Sequence, residues 1–191
     1  MNKKLLALTA ALTLIPCAIH AQTTADNFNA KDSAEQITLL ESYQTFPYKF
    51  LNDQDVPFEE KLNRVNHIAA QLQDIENGAQ LPLPQDGAAK LQDAQANIAQ
   101  IKEIMLEVES TAKRYAGEVI VFCKKTKSPA NGVIAKKLNN EALNLTADYK
   151  YYLDGFYYSN FEDRYVGYDL KDVLLTQYTA ELLLREADNL K

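Results

Sequence analysis

Tryptophan is absent from the 191 residues, while cysteine, histidine and methionine occur twice each and glycine and proline six times each. So few glycines and prolines exclude collagen-like and Pro/Gly-rich disordered chains. Two cysteines, one of them inside the first 21 residues, give no disulfide framework, so the fold must hold by packing. Zinc sites need several His or Cys, and covalent haem needs Cys-x-x-Cys-His; the sequence has neither. Positive charge is also short: 20 Lys and Arg face 26 acids, a net charge of −6. Such a field repels phosphate backbones and anionic lipid, which argues against nucleic acid and against peripheral membrane binding. Lys124, Lys125, Lys127, Lys136 and Lys137 are the nearest thing to a basic patch, and they read as a solvated loop around a helix end.

Long apolar runs are confined to the start. Met1-Asn2-Lys3-Lys4 is basic, Leu5 to Ile19 carries no charge, and Ala21-Gln22 offers a small-residue cut. This three-part pattern resembles a Sec-type bacterial export signal over residues 1–21. Its apolar stretch, interrupted by Pro16, falls short of the roughly 20 residues that span a bilayer. Leu14-Ile15-Pro16-Cys17 also resembles a lipobox, with Pro16 in place of the usual small residue, so lipid anchoring at Cys17 is the alternative. Loss of the leader removes Lys3 and Lys4 and leaves 18 cations against 26 acids, a net charge of −8. The expected location is the periplasm, or the medium if the protein is secreted. No later segment reads as transmembrane.

Beyond the leader, helical spacing dominates. Ser33 with Gln36 reads as a capping box, backed by Ile37, Leu40 and Tyr43 and ended at Phe46-Pro47. Pro57 opens a second helix with Phe58, Leu62, Val65, Ala69 and Leu72 as its stripe and Asn77-Gly78 as its stop. Asp86 can cap a third. Leu91, Ala94, Ile98, Ile101, Met105, Val108, Ala112, Tyr115, Val119 and Phe122 then alternate steps of three and four, a heptad seam predicting a helix over 87–124. After Ser128-Pro129 and Asn131-Gly132, a fourth helix carries Leu138, Ala142, Leu145, Tyr149, Tyr152 and Phe156 and bends or ends at Asp154-Gly155. Asp169 can cap the last, with Val173, Ala180, Leu184 and Ala187 on one side and Leu174, Leu175, Leu182 and Leu190 off it. The expected fold is all-α: residues 22–191 form a single domain, an antiparallel four- to five-helix bundle with one long central helix.

Catalytic chemistry finds little purchase. His67 and Met105 are the only haem-type axial pair in the mature chain. His67 falls on the outward side of its helix and Met105 inside the seam, so no cofactor is expected. Di-iron bundles use Glu-x-x-His, and Arg64 stands three residues before His67. Asn52-Asp53-Gln54-Asp55 lacks the glycine and distal Glu of a calcium loop and reads as a polar connector. Cys123 beside Lys124 and Lys125 reads as a buried thiol rather than the nucleophile of a Cys123–His67 pair. No metal site and no enzyme activity are expected.

The compositional anomaly is aromatic. Seven of the 11 tyrosines fall within Tyr149–Tyr168, together with Phe156 and Phe161. Tyrosine combines apolar area with a polar tip and suits interfaces. Interleaved acids at Asp148, Asp154, Glu162 and Asp163 argue against stacking on nucleic acid. The sequence therefore predicts an exported, non-enzymatic interaction protein. Tyr151, Tyr157, Tyr158, Phe161 and Tyr165 are its expected contact residues, and an envelope or effector protein is its expected partner. The alternative is a bundle holding a lipid, sugar or non-covalent cofactor between its helices. Protein recovered from its native host should give an intact mass matching residues 22–191; a heavier product lipidated at Cys17 would contradict the cut after Ala21.

Overall fold

The computed structural model describes residues 23–53, 55–125, 130–161 and 170–191. The described residues are all-α: α1 (Thr24–Asn29), α2 (Ser33–Leu51), α3 (Phe58–Gly78), α4 (Gly87–Lys124), α5 (Asn131–Phe161) and α6 (Leu170–Asn189). The export leader lies outside the described residues. Among the described residues no helix is long and apolar enough to cross a membrane.

The first helix has no counterpart in the sequence reading. Thr23 caps it in a capping box with Asp26: the Asp26 N–H donates to Thr23 Oγ1 and the Thr23 N–H to Asp26 Oδ2, each at 3.0 Å. It docks on the end of α3, where the Ala25 N–H donates to Asp74 Oδ2 at 2.9 Å and Asn29 Nδ2 to the Gly78 carbonyl at 2.8 Å. Gly78 is needed for that approach, since a Cβ there would stand 2.6 Å from the Ala25 Cβ. Its role is contact, and the helix ends at Ala79, which is extended.

Four local expectations need correction. The capping box of α2 lies one residue earlier than Ser33–Gln36. The Glu35 N–H donates to Asp32 Oδ1 at 2.9 Å and the Asp32 N–H to Glu35 Oε2 at 3.3 Å, while Gln36 Nε2 reaches the Phe28 carbonyl at 3.0 Å. Nor does α2 stop before Pro47. It continues through Pro47 to Leu51, giving up one backbone bond but burying Pro47, Phe50 and Leu51. Asp86 sits in the left-handed region at φ 65° and its side chain makes no capping bond to α4; a short polar side chain tolerates that region better than most. In the same way α5 runs without a break through Asp154-Gly155 to Phe161. Asp169 lies outside the described residues.

Two apolar clusters form the interior. The larger joins Phe28 of α1, Leu40, Tyr43, Phe50 and Leu51 of α2, Phe58 to Ile75 of α3, Leu91 to Ala112 of α4 and Leu170 to Tyr178 of α6. The smaller joins Ala116 and Cys123 of α4, Ile134, Ala135, Leu138 and Ala142 of α5, and Ala180, Leu183 and Ala187 of α6. Helices α4 and α6 thus belong to both. Alanine is frequent in the second cluster, and small side chains let helices approach closely; α5 packs chiefly on α6.

The heptad seam of α4 is buried from Leu91 to Ala112 and then changes register. The next buried residues are Ala116 and Cys123, with Ile120 partly covered. Of the expected positions, Tyr115 is 43% exposed and Phe122 72%, while Val119 is partly covered by the second cluster. In α6 the stripe holds except that Leu183 is buried and Leu184 is 39% exposed. Around Val173 to Ala180 this helix is buried on nearly every side. The buried Thr176 and Thr179 hydroxyls donate to the Asp172 and Leu175 carbonyls at 2.8 and 2.7 Å, which satisfies them within the helix. Met105→Ala should lower unfolding free energy by about 2–5 kcal/mol, whereas Phe122→Ala should change it by no more than about 0.5 kcal/mol. Urea titration followed by circular dichroism checks this, and equal losses would contradict the register.

Candidate functional site

The expected contact residues fall at the edge of what the structure describes. Tyr151, Tyr157, Tyr158 and Phe161 lie on the last turns of α5, and their side chains are outside the described residues. Tyr165 is outside them altogether. The surface immediately before them on α5 is described. A groove of about 370 Å³ runs between α4, α5 and α6, with Tyr115, Val119, Leu145, Leu175 and Leu183 along it and Thr176 and Thr179 beneath. Glu118 of α4 and Glu141 of α5 also line it. Arg114 places its guanidinium carbon 4.7 Å from the centre of the Tyr115 ring and its Nη1 3.7 Å from Glu118 Oε1. Phe122 continues the strip of Tyr115 and Val119 by another turn.

A second constellation is buried and polar. Lys61 is entirely inside, at 0% exposure. Its Nζ donates to the Leu51 carbonyl at 2.7 Å and to Gln177 Oε1 at 2.6 Å. Gln177 Nε2 in turn donates to the Val56 carbonyl at 2.9 Å and to Glu181 Oε1 at 2.8 Å. Glu181 accepts the Phe58 N–H, at 3.1 Å on Oε2. The lysine therefore takes the last carbonyl of α2, and the glutamate takes the first amide of α3, where Pro57 has no side chain to offer as a cap. Beside them the Phe58 and Tyr178 rings stack with centroids 4.2 Å apart. Burial pulls Lys61 down to about 8, against the opposing pull of Glu181 and Asp53, and burial pushes Glu181 up. Perturbed pairs of this kind also occur in active sites. Here the amine is sealed from solvent and both acceptors are structural, so the arrangement is a clamp joining the α2–α3 junction to α6.

No protein-family model matches the chain, and no curated protein or solved structure matches it either. The remaining candidates therefore rest on geometry alone. His67 is exposed on α3 and Met105 is fully buried in the larger cluster. Cys123 is buried in the smaller one; burial raises its thiol first, Lys137 lowers it and Glu141 raises it. Lys124 is held by Glu186 at 2.7 Å, so the cation that acts on Cys123 belongs to α5 rather than to its sequence neighbours. Among the described residues no three His, Cys, Asp or Glu side chains gather as metal ligands. In the connector the Asp55 N–H donates to Asp53 Oδ1 at 2.9 Å, an Asx turn.

Sequence reasoning missed Lys61, and a signal was there. The buried face of α3 is Phe58, Lys61, Val65, Ile68, Leu72 and Ile75, steps of three and four with a lysine in the second place. The expected stripe went through Leu62 and Ala69 instead, which are only partly buried. Deprotonation of Lys61 fits its surroundings: a neutral amine has two N–H bonds for two acceptors, whereas the ammonium has one more than it can place. Between pH 8 and its ordinary 10.5 the unfolded lysine keeps a proton that the folded one has released. The unfolded state then binds more protons, so this group adds stability as pH rises through that window. The stability of the natural chain relative to Lys61→Met should rise by about 2–3 kcal/mol from pH 7 to 10.5, measured by urea unfolding at each pH. A flat difference would contradict it.

Proposed function

We propose that the chain is an exported, non-enzymatic interaction protein. Residues 1–21 direct it to the periplasm, and residues 22–191 act as one domain, an antiparallel bundle built around α4. The contact surface is the groove between α4, α5 and α6 together with the aromatic turns of α5 that follow it. Its partner is an envelope or effector protein. The observation that supports this reading best is the exposure of Tyr115 and Phe122, with the half-buried Val119 between them. Large apolar side chains at helical spacing, left open beside a groove, are what a protein contact uses. Against catalysis stand the sealed Lys61 and the buried Cys123.

The double variants Tyr115→Ser with Phe122→Ser and Tyr151→Ala with Tyr157→Ala should each keep the melting temperature within a few degrees. Each should weaken affinity capture of an envelope partner by about tenfold, the effect of losing a modest hot spot. Full capture by both variants would contradict the reading, as would a large loss of stability, which would make these rings core.

A further inference from the structure

We infer that the groove beside α4 receives an amphipathic helix of another protein, one whose apolar seam is flanked by Lys or Arg. This rests on the interaction reading above and names the chemistry of the partner.

The helical form follows from spacing. The steps of three and four that bury α4 from Leu91 to Ala112 continue unbroken through Tyr115, Val119 and Phe122. This chain turns Ala116 and Cys123 toward its own interior, with Val119 and Ile120 each partly covered, and leaves Tyr115 and Phe122 outward. The outer strip keeps the pattern that accepts knobs from a neighbouring helix and has no helix of the described residues seated fully over it, as the exposure of Phe122 shows. From Tyr115 to Phe122 it runs roughly 10 Å, about two helical turns. Leu145 of α5 and Leu175 of α6 line the same groove.

The basic flanks follow from charge. Glu118 of α4 and Glu141 of α5 both line the apolar groove. Arg114 reaches Glu118 only at 3.7 Å, with both side chains largely in water, and such a pair is weak. Glu141 forms no ion pair among the described residues. The chain as a whole carries −6. A second copy would bring the same sign of charge and the same acidic rim, so self-association is opposed where a cationic helix is favoured.

The test uses the mature chain and two synthetic three-heptad helical peptides. Both carry Leu and Ile along the seam; one has Lys at every flanking position and the other Glu. Binding is read by fluorescence anisotropy, and its place by amide NMR shifts. The Lys peptide should bind about tenfold more tightly than the Glu peptide, with shifts concentrated at 115–122 and 141–145. Tyr115→Ser with Phe122→Ser should abolish binding. Glu118→Gln with Glu141→Gln should leave the fold intact and erase the charge preference. Failure of both peptides to bind, equal binding of the two, shifts located elsewhere, or dimerisation of the chain through this face would each overturn the inference. Capture of an envelope protein that depends on Phe122 while neither peptide binds would also overturn it, yet leave the broader interaction reading standing.

Discussion

The structure depends on which side of one long helix is kept dry. Over the three heptads from Leu91 to Ala112 the seam of α4 stays against α2, α3 and α6. An ideal helix drifts about 20° per heptad away from a strict seven-residue repeat, so a straight continuation would carry the apolar line round the rod. The step of four from Ala112 to Ala116 cancels that drift and returns the buried line to the side where α6 lies. Neighbouring residues on a helix stand 100° apart, and so choosing Ala116 necessarily sends Tyr115 outward. The small side chain joins a cluster rich in alanine, with Ala135, Ala142, Ala180 and Ala187 beside Ile134, Leu138 and Leu183. Exposure of the larger strip is the geometric counterpart of tight packing on the smaller one.

The junction of α2 and α3 is tied by polar contacts. Where α2 ends and α3 begins, two helix termini leave backbone groups without partners, and both are buried. Lys61 and Glu181 answer one each, and Gln177 connects them. A buried charge is costly to hold, and the depressed Lys61 shows how that cost is reduced: the amine is close to neutral in the alkaline range while its two hydrogen bonds persist. The clamp also explains why α6 is buried nearly all round at Gln177 to Ala180. It must meet the larger cluster with Tyr178, the junction with Gln177 and Glu181, and the smaller cluster with Ala180 and Leu183.

Much of the helical content was legible in the sequence because it is written in periodicity. The bounds of α4 fall where its seam begins and ends, and the burial of Ile98 and Met105 follows that line, whereas Cys123 lies on the shifted one. Local rules failed where tertiary contacts outweighed them. Pro47 reads as a stop, but Phe50 and Leu51 gain more by staying helical in the core. Ser33 competes with Asp32 for the cap, and the carboxylate beside a helix N-terminus wins. Leu184 and Leu183 are neighbours, and only the position of α5 decides which is covered. Lys61 was overlooked because a lysine in an apolar stripe looks like a break in it. The aromatic half of α5 is legible as composition, and composition alone does not orient a ring.

The most direct measurement is the labelling rate of single cysteines on α4. In a Cys123→Ala background, cysteines placed singly at 115, 116 and 122 are compared with native Cys123 for reaction with a maleimide under native conditions. Fast labelling at 122, intermediate labelling at 115 and slow labelling at 116 and 123 are expected. Protection at 115 and 122, with 116 and 123 open, would mean that the seam runs straight on and that the account of α4 is wrong.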